Sequence, residues 1–236
     1  MSDNIFRIQS IQKKGNRVEA SVQVGESVST FYIECDDPAL VPSREALVAL
    51  TLFPAMKDGV ELQVGGEIST RLVEALPVLQ DVYHGWFPEN FLHIPVTQAT
   101  PVVKKNPNAR RVGVFFSGGV DSWYTFLKHR DEITDLILVW GFDIPLDKPG
   151  LFEHTRQNML KVAQEFGKNL VIVKTNLRTF TEPHVVWNWL FGAGMGAVAN
   201  LLSGGFKRIY TSAGQWYGHQ KPAASHVLLD SLWSTE

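Results

Sequence analysis

The sequence predicts an α/β protein, a parallel sheet with helices on both faces, preceded by a smaller α+β region. Three observations carry this expectation. From residue 111 onward, short apolar runs and helical patterns alternate as strand, turn, helix, strand, the rhythm of βαβ units. Before residue 97 the rhythm is mixed, with one hairpin pattern and two helix patterns. Between them TQATPVVKKNPNAR, residues 97–110, has two prolines, two asparagines, three basic residues and no periodicity, which reads as a linker. The expected organisation is therefore an N-terminal α+β domain over 1–97, a linker over 98–110 and a second domain over 111–236.

In the first region, Arg17 to Glu34 alternates apolar and polar residues and is interrupted midway by Gly25-Glu26, the pattern of a β-hairpin. Ser43 to Phe53 places Ala46, Leu47 and Leu50 at helical spacing behind a Ser43 cap, and Pro54 should end that helix. Val60 to Val64 returns to strand. Ser69 can cap a second helix that runs to about Val82, kinked at Pro77.

Beyond the linker, Val112 to Phe116 is a continuous apolar run, Trp123 to His129 begins a helix, and Leu136 to Phe142 is a second buried strand. Leu151 to Phe166 has the period of a helix, with Gly167 as its C-cap candidate. Leu170 to Val173 is a third strand. Val185 to Leu202 is apolar nearly all round and rich in Gly and Ala, as suits a helix packed closely on a sheet. Arg208 to Thr211 supplies a fourth strand. In a parallel sheet of this kind, ligands sit beyond the carboxyl ends of the strands.

Composition narrows the function. The chain has 236 residues, 44% of them hydrophobic, and a net charge of −2. The pairs Lys104-Lys105 and Arg110-Arg111 are too short for a nucleic-acid footprint and read as solvated linker charge. No apolar run reaches the length of a membrane span, and MSDNIFRIQS lacks the basic and apolar regions of a signal peptide, so a cytoplasmic location is expected. Cys35 is the single cysteine. It excludes an intrachain disulfide, a CxxC redox pair and a multi-cysteine zinc site within the chain, and it reads as a half-buried strand residue.

The chemistry concentrates at Ser117-Gly118-Gly119-Val120-Asp121-Ser122, which follows the first strand of the second region and opens its first helix. Gly118 and Gly119 permit backbone angles closed to other residues and let the chain approach phosphate oxygens with no Cβ in the way. Free N–H groups of the first helical turn and the positive end of the helix dipole then face an anion. Ser117 and Ser122 add hydroxyl donors, and Asp121 can hold a divalent cation that bridges the phosphates. A Gly-Gly turn capped by Asp121 that binds nothing would look similar. At average usage, about 7% per position, five such fixed positions recur by chance in roughly one chain per few thousand of this length.

The loop resembles the pyrophosphate-binding loop of the N-type ATP pyrophosphatase (PP-loop) superfamily, which includes GMP, NAD, asparagine and argininosuccinate synthetases and cyano-deazaguanine synthase. The resemblance covers about Arg111 to Trp233 and is nearest to the cyano-deazaguanine synthase-like and asparagine synthetase-like branch. It implies a sheet of the adenine nucleotide alpha hydrolase-like, HUP-type fold. It also implies that Ser117, Gly118, Gly119, Val120 and Ser122 cradle ATP phosphates and that Asp121 binds Mg2+. The α phosphate is then attacked by a substrate oxygen, a carboxylate or carbonyl, and a nitrogen nucleophile displaces AMP. The loop lacks the Gly-Lys-Ser/Thr ending of a Walker A motif, which disfavours γ-phosphoryl transfer.

Other candidates follow from position. Gly141 and Phe142, with Asp143, end the second strand, where members of the superfamily hold adenosine. Lys174 ends the third strand and is a candidate catalytic cation beside Asp121; its bland alternative is a solvated strand-end lysine. Ser212, Gln215, His219, Lys221, Ser225 and His226 follow the fourth strand as candidate substrate or phosphate contacts, or as ordinary turn residues. Ser225-His226 with Asp230 resembles a segment of the cyano-deazaguanine synthase-like branch, without its zinc cysteines. Met1-Ser2 does not supply the N-terminal cysteine of a glutaminase, so ammonia is expected free or from another protein.

Two alternatives stand beside the adenylating ligase: a deazapurine synthase-like enzyme, and a non-catalytic nucleotide-binding subunit. Partners expected are a small-molecule substrate, no membrane and no nucleic acid. The second domain is expected to be incomplete at its C-terminus, because apolar surface at Leu228, Leu229, Leu232 and Trp233 needs a cover. Further chain, a partner chain or a second copy would supply it; otherwise the tail folds back on its own sheet.

Overall fold

The computed structural model describes residues 5–216 and 218–235, so Met1-Ser2 lies outside the described residues. The chain opens with strands β1 (Phe6–Lys14), β2 (Arg17–Val24) and β3 (Ser27–Glu34), then helix α1 (Arg44–Asp58), β4 (Leu62–Ser69), α2 (Thr70–Trp86) and β5 (Val96–Val102). It continues with β6 (Arg111–Phe115), α3 (Val120–Lys128), β7 (Asp135–Trp140), α4 (Pro149–Glu165), β8 (Asn169–Thr175), α5 (Leu177–Thr181), α6 (Phe191–Leu201) and β9 (Phe206–Tyr210). The nine strands form one sheet in the order β5-β4-β1-β2-β3-β8-β7-β6-β9, with mostly parallel neighbours. Among the described residues no helix is long and apolar enough to cross a membrane.

The expected hairpin is β2–β3, paired from Arg17↔Glu34 to Val24↔Ser27. Its first strand also pairs with β1, which sequence patterning did not reveal. The boundary drawn over 98–110 does not interrupt the sheet: β3 pairs antiparallel with β8 through Ile33↔Thr175 and Glu34↔Lys174. The expected linker is corrected at its start. Its first residues are part of β5, bonded along β4, and Lys104 is paired rather than solvated, while Lys105 and Arg110 are exposed. Lys104 Nζ lies 2.8 Å from Glu45, which is 2% exposed, and Arg111 bonds Asp37 at 2.7 Å and the fully buried Asp135. Burial works against ionisation of Asp37, yet Arg111 and the Ala39 N–H hold its carboxyl below the usual range. The hydrogen bonds that Arg111 donates to Asp135 hold the guanidinium proton more tightly than usual.

Pro54 does not end α1, which runs on to Asp58 and stops at Gly59 in the left-handed conformation. Every residue from Glu45 to Met56 is buried, so packing on both sides outweighs the one backbone bond that proline forfeits. The Val185–Leu202 expectation is also corrected. A 3₁₀ turn, Trp187–Trp189, precedes a shorter α6 that starts at Phe191. By contrast α4 ends as Gly167 suggests: its N–H bonds Gln164 O and the Lys168 N–H bonds Ala163 O, a Schellman closure.

In the second half the alternate residues of β7 divide between two cores. Leu136 and Leu138 pack with Phe126 of α3 and Phe152 and Met159 of α4. Ile137 and Val139 pack with Ala193, Ala197 and Leu201 of α6 and with α1. Helices thus cover both faces there, as expected of buried parallel strands. The tail also folds back. Leu229 and Trp233 are buried, the latter edge-on against Phe53 of α1 at 5.5 Å, so the expected uncovered surface shrinks to Leu228 and part of Leu232.

Candidate functional site

Strand β6 lies between β7 and β9. The chain leaves β6 through α3 toward β7 and β8, and returns through α6 to β9 on the other side, so the order reverses at β6. Beyond the carboxyl ends of β6, β7 and β9 lies a cleft of about 450 Å³, within the range of roughly 300–1,000 Å³ typical of small-molecule sites. Ser117, Gly119, Asp121, Ser122, Phe142 and Asp143 line it, as does Ser212. The sequence candidates at the ends of three strands therefore meet in one place.

The loop has the form its glycines suggest. Gly118 sits at φ +81°, and a Cβ there would stand 3.0 Å from Met159 Cε, so this position needs glycine. Gly119 opens α3 in extended conformation, and no side chain caps the helix. The Gly119 N–H reaches Ser117 Oγ at 3.4 Å, and Ser122 Oγ donates to Gly119 O at 2.8 Å, which closes the loop on itself. Asp121 is exposed beside the cleft, and Val120, 84% exposed, points away from any core. Gly141 stands at φ +108°, where a Cβ would fall 1.9 Å from Thr175 O. Its role is a close backbone crossing between β7 and β8. Phe142 is buried against Trp187 at 4.8 Å and its carbonyl accepts from Arg178 at 2.7 Å.

Ser212 follows β9, directly across from the loop. Its Oγ is buried and has no hydrogen-bond partner, an arrangement that costs free energy unless something in the cleft supplies one. Three helices begin at this cleft: α3 at Gly119, α4 near Leu151 and α6 at Phe191, all without a side-chain cap. Their positive ends converge on it. The remaining wall is apolar, made by Phe116, Ile137, Val139, Phe142, Leu151 and Met195. Leu151, Phe191 and Met195 were not legible as site residues, because an apolar residue that lines a site reads the same as one that fills a core.

Not all candidates come together. Lys174 is absent from the cleft wall; its Nζ lies 3.7 Å from Glu34 and 5.0 Å above the Trp140 ring, held by the β3–β8 junction. Ser225, His226 and Asp230 use their polar groups on each other. Ser225 Oγ donates to Asp230 at 2.8 Å, the His226 N–H does so at 3.1 Å, and His226 Nδ1 accepts from the Leu228 N–H. Burial raises the Asp230 pKa above the usual carboxylate range, against those hydrogen bonds. Gln215 accepts from the Lys221 N–H, and His219 stacks on the exposed Trp216 at 6.2 Å, both outside the cleft. Burial pushes the Cys35 thiol up to about 11, which leaves it protonated and inert at neutral pH. No group of three or more His, Cys, Asp or Glu side chains suited to a metal occurs among the described residues.

The cleft is divided in character. One wall is apolar, and the other offers hydroxyls, helix N-termini and the carboxylates of Asp121 and Asp143. Compared with known proteins, the chain matches no family model, no curated protein and no solved structure.

Proposed function

We propose that the chain binds ATP with Mg2+ in this cleft and adenylates a small-molecule substrate, releasing pyrophosphate. The observation that carries the reading is the coincidence of the Ser117–Ser122 loop with a reversal of strand order, uncapped helix starts and the unpartnered Ser212 hydroxyl. In this reading the fold of the second half is of the HUP type. The N–H groups that open α3 hold the β and γ phosphates, with Ser117, Ser122 and Ser212 as hydroxyl donors. Asp121 would hold the cation, which would supply charge neutralisation on the pyrophosphate group. A carboxylate or carbonyl oxygen of the substrate attacks the α phosphorus, and the bond to the bridging oxygen of pyrophosphate breaks. A nitrogen nucleophile then forms a bond to the activated carbon, and AMP leaves. The protein's contribution is to align the attacking oxygen opposite the leaving group and exclude water. A cytoplasmic setting, and a second copy or partner chain along the C-terminal edge, belong to the same reading.

One observation favours a second reading, nucleotide binding without turnover. No lysine or arginine is among the residues that line the cleft, and Lys174 is engaged with Glu34. Leaving-group charge would then rest on Mg2+ and N–H donors alone. A turnover assay separates the two. Incubation of the full chain with Mg-ATP and metabolite pools is expected to give AMP and pyrophosphate on chromatography; ADP as the sole product rules out the adenylating class, and intact ATP with measurable binding supports the second reading.

A further inference from the structure

A groove of about 990 Å³ runs along β9, on the other side of α6 from the loop. Strand β9 ends the sheet and pairs only with β6, so its second backbone edge is open, and each residue from Phe206 to Thr211 lines the groove. The opposite wall is Val103 to Asn106, the chain that leaves β5. Asn106 Nδ2 closes the end of the groove by donating to Ser203 O at 2.9 Å and Gly204 O at 3.1 Å. Met195, Ala199 and Ser203 of α6 and its C-terminal corner form the floor.

The dimensions are those of one strand. Six extended residues span about 20 Å at roughly 3.3 Å each, and a strand takes about 4.8 Å of sheet width and about 10 Å of depth, near 1,000 Å³. An open strand edge beside such a gap is a template for an added strand.

Charge defines what that strand carries. Lys105 on one wall and Lys207 on the other are exposed, and neither has an ion-pair partner among the described residues. Arg208, 59% exposed, is paired with Glu132 at 3.3 Å and bonds Tyr210 Oη at 3.2 Å, so it adds to the positive wall less than the two lysines do. The two carboxylates of the groove are already engaged: Glu45 by Ser43, the Ser69 N–H and Lys104, and Asp230 by Ser225 and the His226 N–H. The uncompensated charge is positive. A nucleic-acid strand needs exposed ring faces to stack on. Here Phe206 and Trp233 are buried and Tyr210 is stacked on His129 at 4.4 Å.

We propose that this groove binds an extended acidic peptide segment of a partner protein, which adds to β9 as a tenth strand and sets its carboxylates against Lys105, Lys207 and Arg208. This surface shares only Met195 with the proposed ATP cleft, and its test does not depend on nucleotide. The probes are a fluorescent peptide that alternates valine and glutamate, the same peptide with lysine for glutamate, and a single-stranded oligonucleotide, each titrated into the full chain by anisotropy. The glutamate peptide is expected to bind and the lysine peptide not to. Binding should slow amide hydrogen exchange across Phe206 to Thr211 by about tenfold or more, and K105E with K207E should weaken it by about tenfold. Equal binding of both peptides, binding without protection of β9, indifference to the charge reversal, or tight binding of the oligonucleotide alone would each overturn the proposal. The two peptides on the unaltered chain decide the matter even if the double variant folds poorly.

Discussion

Helices of the two halves of the chain begin differently. In the first half Ser43 Oγ accepts from the Ala46 N–H and Ser69 Oγ from the Leu72 N–H, each at 3.3 Å, so the free donors of α1 and α2 are partly satisfied within the fold. In the second half α3, α4 and α6 have no side-chain cap, and all three begin at the cleft. The sheet differs in parallel. On β1 and β2 burial alternates between buried and open positions, whereas Leu136 to Val139 of β7 are buried on both faces. Covering both faces of parallel strands places every helix start at one end of the sheet. The kind of backbone donor that a serine caps in the first half is left without a side-chain cap in the second.

The largest effect is expected where the halves meet. Arg111→Met leaves the fully buried Asp135 with only the Thr134 and Asn169 donors and removes the bond to Asp37. An uncompensated buried charge costs about 3–5 kcal/mol, which a urea denaturation midpoint would register. If the two halves unfold in separate transitions and only one moves, the sheet is not a single cooperative unit and the comparison is between two domains. The next effect isolates the cleft. In Gly119→Val the new Cβ meets Ser117 Oγ at an ordinary 3.4 Å and the backbone is already extended, so the fold should persist. The added methyls would fill the space before the α3 donors, and Mg-ATP affinity is expected to fall about a hundredfold, roughly 2.7 kcal/mol, by calorimetry. Unchanged affinity would remove the loop from the site.

These contrasts were unevenly legible in the sequence. The β2–β3 hairpin and the placement of the loop between a strand and a helix could be read, because both are local patterns of one period. Strand β1 could not: its register shifts between Ile8 and Ser10, so Phe6 and Ile8 fall on one parity and Ile11 on the other. Strand β5 has the composition of a loop, with Pro101 and few apolar residues, and an edge position is where a sheet tolerates that. Lys174 was misread for a different reason. Its partner Glu34 comes from the β3–β8 pairing, a long-range register that no local pattern encodes. The ionic roles of Lys104 and Arg111 were hidden in the same way, each facing a carboxylate from a distant segment.

A hydroxyl that the fold leaves unpaired should behave in the opposite way to a cap. Ser212→Ala removes a buried oxygen with no partner, so thermal stability should stay level or rise slightly. Mg-ATP affinity should fall about tenfold, since a hydrogen bond to a charged oxygen contributes about 1.5–3 kcal/mol. Were Gly119→Val to abolish binding while Ser212→Ala left it intact, the cleft would stand and Ser212 alone would drop out of it.

Ser69→Ala supplies the smallest effect and the cleanest control. Ser69 is fully buried at the start of α2, in the half of the sheet away from the cleft. Its hydroxyl caps the Leu72 N–H and its own N–H bonds Glu45. Alanine keeps the second bond and loses the first, which should lower stability by about 1 kcal/mol, the usual worth of an N-cap. For a protein of this size that is a fall in Tm of roughly 2–4 °C. Mg-ATP affinity should not change, because no residue of α2 lines the cleft. A serine hydroxyl that caps a helix in one half is then expected to stabilise the chain, and the unpaired hydroxyl after β9 in the other half to act on nucleotide affinity instead. If Ser69→Ala and Ser212→Ala gave the same pair of results, the capping hydroxyl and the unpaired one would be equivalent, and the unpartnered oxygen at the cleft would have no special bearing on what binds there.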